Sequence, residues 1–183
     1  TFLNVQGEAD LLEACRRCYA SLFTNRAISY RQEKGFDHMQ VALSIGVQRM
    51  VRSDRGSAGV MFSIDTETGF PDVAIINAAW GLGETVVQGS VTPDQYTVFK
   101  PLLKQPDSEE WSNYRPIVQK QRGTKEKKMI YAHEGSKSTQ TVATSGKERQ
   151  ALVLNDDEII QLGRWATVIE AHYGKPMDME WAK

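Results

Sequence analysis

The sequence predicts an α+β, mixed α/β fold with helices towards both ends and strands clustered in the middle. Three observations carry this. Apolar residues recur at helical spacing from Leu11 to Phe23 and again from Ile159 to Tyr173. The period shortens to two from Val41 onwards. An unbroken apolar run, Val73 to Trp80, lies between turn-forming segments, as a strand covered on both faces would.

Leu11, Leu12, Cys15, Cys18, Tyr19, Leu22 and Phe23 mark one face of a first helix, with Glu8 and Asp10 near its positive end. Thr24 or Asn25 caps a second helix, which runs through Gln32 and ends at Gly35. Val41, Leu43, Ile45 and Val47 alternate with Ala42, Ser44, Gly46 and Gln48, which predicts a strand. Asp54-Arg55-Gly56 reads as a turn, Gly59 to Ile64 as a strand, and Asp65 to Pro71 as a loop. Gly81-Leu82-Gly83-Glu84 follows the buried run and leads into a short helix at Thr85 to Val87. Gln95 to Phe99 reads as a strand and Pro101 to Trp111 as a polar connection. Ile117 to Gln121 and Lys127 to Ala132 read as a hairpin around Gly123. Ser136 to Gln150 is rich in Ser, Thr and Lys without a period, and is expected as a loop. Asn155 with Glu158 opens the last helix as a capping box, and Gly174 and Pro176 close it. Met177 to Trp181 alternates as a final strand.

Composition narrows the class. With 40% hydrophobic and 25% charged residues in 183, the chain is a folded one with a real core. A formal net charge of -1 gives no global attraction to nucleic acid or anionic membrane. The basic stretch Lys120 to Lys128 has no interleaved aromatics, so it reads as a solvated hairpin. No apolar run approaches the roughly 20 residues of a membrane span. The start, Thr1-Phe2-Leu3-Asn4, has no leader pattern and reads as a cut through a longer protein. Cys15 and Cys18 form C-x-x-C, but inside a helical pattern and without partners for a four-ligand zinc site. They are expected as two reduced thiols, which suits a cytoplasmic protein. His38, His133 and His172 are isolated, and no nucleophile–base–acid arrangement is visible.

Three places could carry chemistry. On the final strand, i and i+2 share a face, so Asp178 and Glu180 present two carboxylates together while Met177, Met179 and Trp181 face a core. Mg²⁺ bridging to phosphates would relieve their repulsion; a solvated strand face is the other reading. Gly81 and Gly83, ahead of Glu84, let backbone N–H groups approach a ligand, or simply make a tight turn. Gln48, Arg49, Met50 and Val51 could wall an adenine, or be ordinary core.

Several blocks resemble a known family: Ser57-Ala58-Gly59-Val60-Met61-Phe62-Ser63, Ile76 through Gly89, Thr92-Pro93-Asp94, and Tyr173 through Trp181. Together they look like the nucleotide-binding region of phosphoenolpyruvate synthases (pyruvate, water dikinases). Pyruvate phosphate dikinase and rifampin phosphotransferase share the outline. The resemblance implies an ATP-grasp-like lobe, with a largely antiparallel sheet flanked by helices, as part of a single nucleotide-binding domain truncated at both ends. Residues 1–36 are then a helical entry segment and 37–183 the sheet-containing portion. It also implies ATP and Mg²⁺ as ligands: adenine against Gln48 to Val51, Glu84 organising nucleotide or metal, and Asp178 and Glu180 on ribose and metal. The implied reaction converts ATP, pyruvate and water to phosphoenolpyruvate, AMP and phosphate through a phosphohistidine, in gluconeogenesis. The implied partners are an N-terminal lobe, a phosphohistidine domain and a pyruvate-binding barrel, with a homodimeric parent allowed. Those parts would lie outside this chain, so the chain alone is not expected to turn over. A sister phosphotransferase and a non-catalytic binding module are the alternatives.

Overall fold

A computed structural model describes residues 1–103, 114–132 and 139–183. The chain divides into two compact units, Thr1–Met50 and Val51–Lys183.

The first unit is helical. Helix α1 spans Gly7–Ala20, a 3₁₀ turn spans Ser21–Phe23, and α2 spans Asn25–Lys34. Thr24 caps α2 by accepting from the Ala27 N–H, and Gly35 ends it in the left-handed region. Arg31 is buried: it donates to the Leu22 carbonyl at 2.5 Å and to His38 Nδ1 at 2.9 Å. The alternating run Val41 to Gln48 is irregular and not the strand its period predicts. A strand needs an edge to pair with, and the regular elements of this unit are helices, which offer none. Instead Leu43, Ile45 and Val47 line a cleft with Leu11, Cys15 and Cys18.

The second unit is built on an antiparallel sheet of five strands: β1 (Ser57–Phe62), β2 (Val73–Trp80), β3 (Asp94–Phe99), β4 (Ile117–Gln121) and β7 (Asp178–Ala182), in the order β4-β3-β2-β1-β7. A short helix α3 (Glu84–Val87) follows β2, and α4 (Lys100–Leu103) follows β3. Strands β5 (Lys127–Tyr131) and β6 (Thr139–Ala143) make a separate two-stranded sheet. Helices α5 (Gly146–Gln150) and α6 (Asp156–Tyr173) lie between β6 and β7.

Helix α6 is specified at both ends. Asn155 Oδ1 accepts from the Glu158 N–H at 2.9 Å, and Glu158 Oε2 accepts from the Asn155 N–H at 3.0 Å. Gly174, at φ 66°, ends it. Ile159, Leu162, Gly163 and Ala166 are buried against one face of the sheet, which supplies Met61, Ala74, Ile76, Ala78, Tyr96, Val98 and Met179. A β-carbon at Gly163 would stand 3.0 Å from Val98 Cγ1, so the glycine lets the helix close on the sheet. Burying each large side chain here contributes about 1.5–3 kcal/mol. Trp165 and Tyr173, at the margins of the apolar stripe, stay more than half exposed.

Three sequence expectations for the middle of the chain need correction. β4 and β5 do not form a hairpin: β4 pairs with β3, and β5 pairs with β6. The connection between them is held at the Thr92–Asp94 corner. The Gly123 N–H donates to Asp94 at 2.8 Å, the Lys125 N–H donates to the Thr92 carbonyl at 3.1 Å, and the Lys125 ammonium pairs with Asp94. The basic stretch is therefore a solvated face only in part, with Lys120 and Arg122 exposed. Lys125 is fully buried on Asp94, Lys120 pairs with Asp156, and Lys128 pairs with Glu148 at 2.5 Å. The segment read as a loop holds β6 and a capped α5; only its residues 136–138 lie outside the described residues. Thr139, Thr141 and Val142 are β-branched strand formers, and Ser145 with Glu148 makes a second capping box. The polar connection from Pro101 begins as part of α4, and its residues 104–111 lie outside the described residues, as does His133.

Candidate functional site

Strand register decides which side chains share the sheet face that α6 leaves uncovered. Met61 pairs with both Ile76 and Met179, so these three point towards α6. Their alternates point the other way: Val60 and Phe62 on β1, Ile75, Asn77 and Ala79 on β2, Gln95 and Thr97 on β3, and Asp178 and Glu180 on β7. Asp178 stands opposite Phe62, and Glu180 opposite Val60. Both carboxylates are exposed, and neither accepts a hydrogen bond or an ion pair from another described residue. Asn77, Gln95 and Thr97 are half-buried, and their polar side-chain groups are likewise unmatched among the described residues. This face thus offers amide, hydroxyl and carboxylate groups with hydrogen-bonding capacity to spare.

One end of the face is closed by the segment after β2. Gly81, at φ 84°, donates its N–H to the Gly56 carbonyl at 3.1 Å, and the Leu82 N–H donates to the Met129 carbonyl at 2.9 Å. A β-carbon at Gly81 would collide with the Met129 carbonyl oxygen. Glycine at 81 is thus required by the approach of β5, and its N–H is already engaged. Gly83 backs onto Ala58, where a β-carbon would meet Ala58 Cβ at 3.4 Å. Glu84 is exposed and accepts from Gln88 Nε2 at 2.8 Å. Ala58 faces Ala182, two residues beyond Glu180 on the same side of β7, so the glycine turn and the acidic pair belong to one surface. Gln48, Arg49 and Met50 close the first unit, and Val51 opens the second; all four are exposed and irregular.

Sequence reading assigned no role to two other groups. Asp94 is fully buried: one oxygen accepts from Gly123 N–H and Lys125, the other from the Val153 N–H at 2.8 Å and the Tyr96 hydroxyl at 3.2 Å. Burial, above all, pushes the Tyr96 phenol far up, with Asp94 adding to it. The second group is Arg52, Asp54 and Tyr131. Arg52 Nε and Nη2 donate to the two Asp54 oxygens at 2.7 and 2.8 Å, and the guanidinium carbon lies 5.6 Å from the Tyr131 ring centre. The hydrogen bonds from Arg52 hold the Asp54 carboxyl below its ordinary range. Burial, then the Asp54 charge, raises Tyr131, and Arg52 opposes this. Nothing local in the sequence joins Tyr131 to Arg52; only the β5 fold-back does.

Among the described residues, no three His, Cys, Asp or Glu side chains cluster to hold a metal. Cys15 and Cys18 are free. No described helix is long and apolar enough to cross a membrane.

An antiparallel five-stranded sheet flanked by helices makes this an ATP-grasp-like α+β domain. The chain belongs to the pyruvate phosphate dikinase AMP/ATP-binding domain family, which matches residues 1–183. It is 55% identical to a phosphoenolpyruvate synthase of Synechocystis sp. over 189 aligned positions, and 53% identical to that of Helicobacter pylori over 190. It is 50% identical to the phosphoenolpyruvate synthase of Escherichia coli over 185. Each comparison covers the whole chain and 22% of the relative, so the chain spans about a fifth of their length.

Proposed function

We propose that this chain is the ATP-binding portion of a phosphoenolpyruvate synthase, acting in the cytoplasm and in gluconeogenesis. The observation that carries the reading is the unbroken similarity of the whole chain to proteins of that name. In the proposed reaction ATP, pyruvate and water give phosphoenolpyruvate, AMP and phosphate. The β-phosphoryl group passes through a histidine outside this chain. An N-terminal lobe, a phosphohistidine domain and a pyruvate barrel would be its partners, in a homodimeric parent.

Within the chain, nucleotide is read onto the open sheet face of the second unit. Adenine is assigned to Gln48, Arg49, Met50 and Val51, whose backbone groups can offer an N–H and a carbonyl to its edge. The segment Gly81, Gly83 and Glu84 bounds the face at one end. Asp178 and Glu180 would hold Mg²⁺. The donor set fits that ion: Mg²⁺ is bound through one or two carboxylates plus substrate phosphates and water, and a pair of free carboxylates on one strand face matches this. The ion would supply charge neutralisation at the phosphates. The chain's own part is positioning: the antiparallel ladder to β1 fixes both carboxylates on one face, and Met179 anchors the strand beneath them.

The test is Glu180→Gln in the full-length parent. Phosphohistidine formation from ATP should fall at least a hundredfold, while the melting transition moves by less than about 1 kcal/mol, as for a surface substitution. Near-normal phosphorylation would remove Glu180 from the metal site.

A further inference from the structure

Resting on this nucleotide reading, we propose that Arg52, Asp54 and Tyr131 form a phosphate-binding site, which would take the polyphosphate of the nucleotide. Arg52 follows Val51 directly, yet it is not a free surface arginine. Both Asp54 oxygens fix one side of its guanidinium, and the Tyr131 ring lies at its face. Two of its five N–H groups are thereby engaged, and the others remain. The side chain is still 52% exposed, so those groups reach solvent. An arginine held in this way has already given up its rotamer freedom and can bind an anion without that cost.

Tyr131 supplies the second, independent sign. Only 6% of the residue is exposed, and its hydroxyl is buried without a hydrogen-bond partner. Such a group is destabilising unless something meets it. The outward guanidinium N–H groups can only donate and the Tyr131 hydroxyl can donate too, so an oxyanion is the ligand that suits both. Asp54, itself negative, serves as the positioning residue that aims the guanidinium and sharpens its directionality. The place is apt as well: the Gly56 carbonyl, just beyond Asp54, receives the Gly81 N–H, and Met129, two residues before Tyr131, bridges Gly81. The cluster therefore lies beside the glycine turn that bounds the open face. A phosphate ligand fits better than a carboxylate, because it presents more oxygens to the free N–H groups of the guanidinium.

The experiment is an NMR titration of the ¹⁵N-labelled chain with inorganic pyrophosphate, ATP and adenosine. Pyrophosphate and ATP should both shift the Arg52 Nε–Hε signal and the Tyr131 amide, whereas adenosine should leave them in place. Arg52→Ala should weaken pyrophosphate and ATP at least tenfold with adenosine unchanged. Arg52→Lys, which keeps the charge and loses the fork, should fall between, and Tyr131→Phe should weaken both anions about threefold. Unchanged pyrophosphate affinity in Arg52→Ala or in Arg52→Lys, or no pyrophosphate binding by the unaltered chain, overturns the proposal. Pyrophosphate bound through Arg52 by a chain that ignores ATP and adenosine would keep the phosphate site and sink the nucleotide reading instead.

Discussion

Asp94→Ala should be among the most damaging single substitutions in the second unit, although Asp94 belongs to no proposed binding site. The residue and its partner Lys125 are both fully buried. Removing one member of a buried pair leaves the other charge uncompensated, at about 3–5 kcal/mol. Two backbone donors, Gly123 and Val153, would also lose their acceptor, and each buried unsatisfied donor costs roughly 1–3 kcal/mol before water enters the space. Even the lower end of that sum, about 5 kcal/mol, is a large part of the roughly 5–15 kcal/mol that holds a typical domain together. At ~2–4 °C per kcal/mol for a chain of this size, the melting temperature should fall by about 10–20 °C. Circular dichroism melts and urea titrations measure this. The second half of the test is Asp94→Asn with Lys125→Met, which removes both charges. It should be less damaging than the sum of its single changes by more than about 1 kcal/mol. A loss under about 1 kcal/mol for Asp94→Ala, or strict additivity in the double variant, would refute the assignment of this pair as the tie between β3, the 122–126 crossing and the entry to α6.

Replacing Cys15 and Cys18 together by Ser should leave the zinc content at zero and pyrophosphate binding unchanged, with only a modest loss of packing; stoichiometric zinc that disappears with Cys15→Ser would contradict this. Acid should destabilise the second unit through Glu148 and Glu158. Burial works to raise each carboxyl, but hydrogen bonds from Lys128 and Ser145, and from Lys183 and Asn155, outweigh it and leave both below the ordinary 4.5. A depressed carboxyl stabilises the fold above its unfolded value, and that contribution is lost as pH falls through the folded value. Stability should therefore decline from about pH 4.5 downwards, and Glu148→Gln with Glu158→Gln should flatten that limb in urea titrations at stepped pH. At the alkaline end, Tyr96 and Tyr131 are both raised, so the stability they lend is present below about pH 10 and lost above it.

The elements that announced themselves in the sequence are those whose local and tertiary signals agree. Helix α6 carries its own cap, stop and apolar stripe, and β2 its continuous apolar run, so neither depends on a distant partner for recognition. Val41 to Gln48 has an equally clean alternation but no edge to pair with, and a period alone does not make a ladder. The expected hairpin failed for the opposite reason. The spacing around Gly123 suited a turn, but the buried Asp94–Lys125 pair pulls the crossing away from β4 and sends β5 to a different sheet. No window of a few residues contains both Asp94 and Lys125, so the competing interaction was invisible to local reading. The same holds for Arg52 and Tyr131, which only the fold-back of β5 brings together.

The acidic strand shows where legibility stops within one element. Alternation puts Asp178 and Glu180 on the same side of β7, and Met179 on the other, from sequence alone. It does not say which side the protein covers. That follows from the pairing of Met179 with Met61, which α6 buries, and hence from a helix that precedes the strand. The consequence is energetic. Carboxylates on the covered side would have to be desolvated or neutralised, at several kcal/mol per ion. On the open side they keep their water, and the edge strand bears two like charges at little cost. In the proposed site their repulsion would become a reason to accept a cation as phosphates arrive, and that is the linkage Glu180→Gln tests.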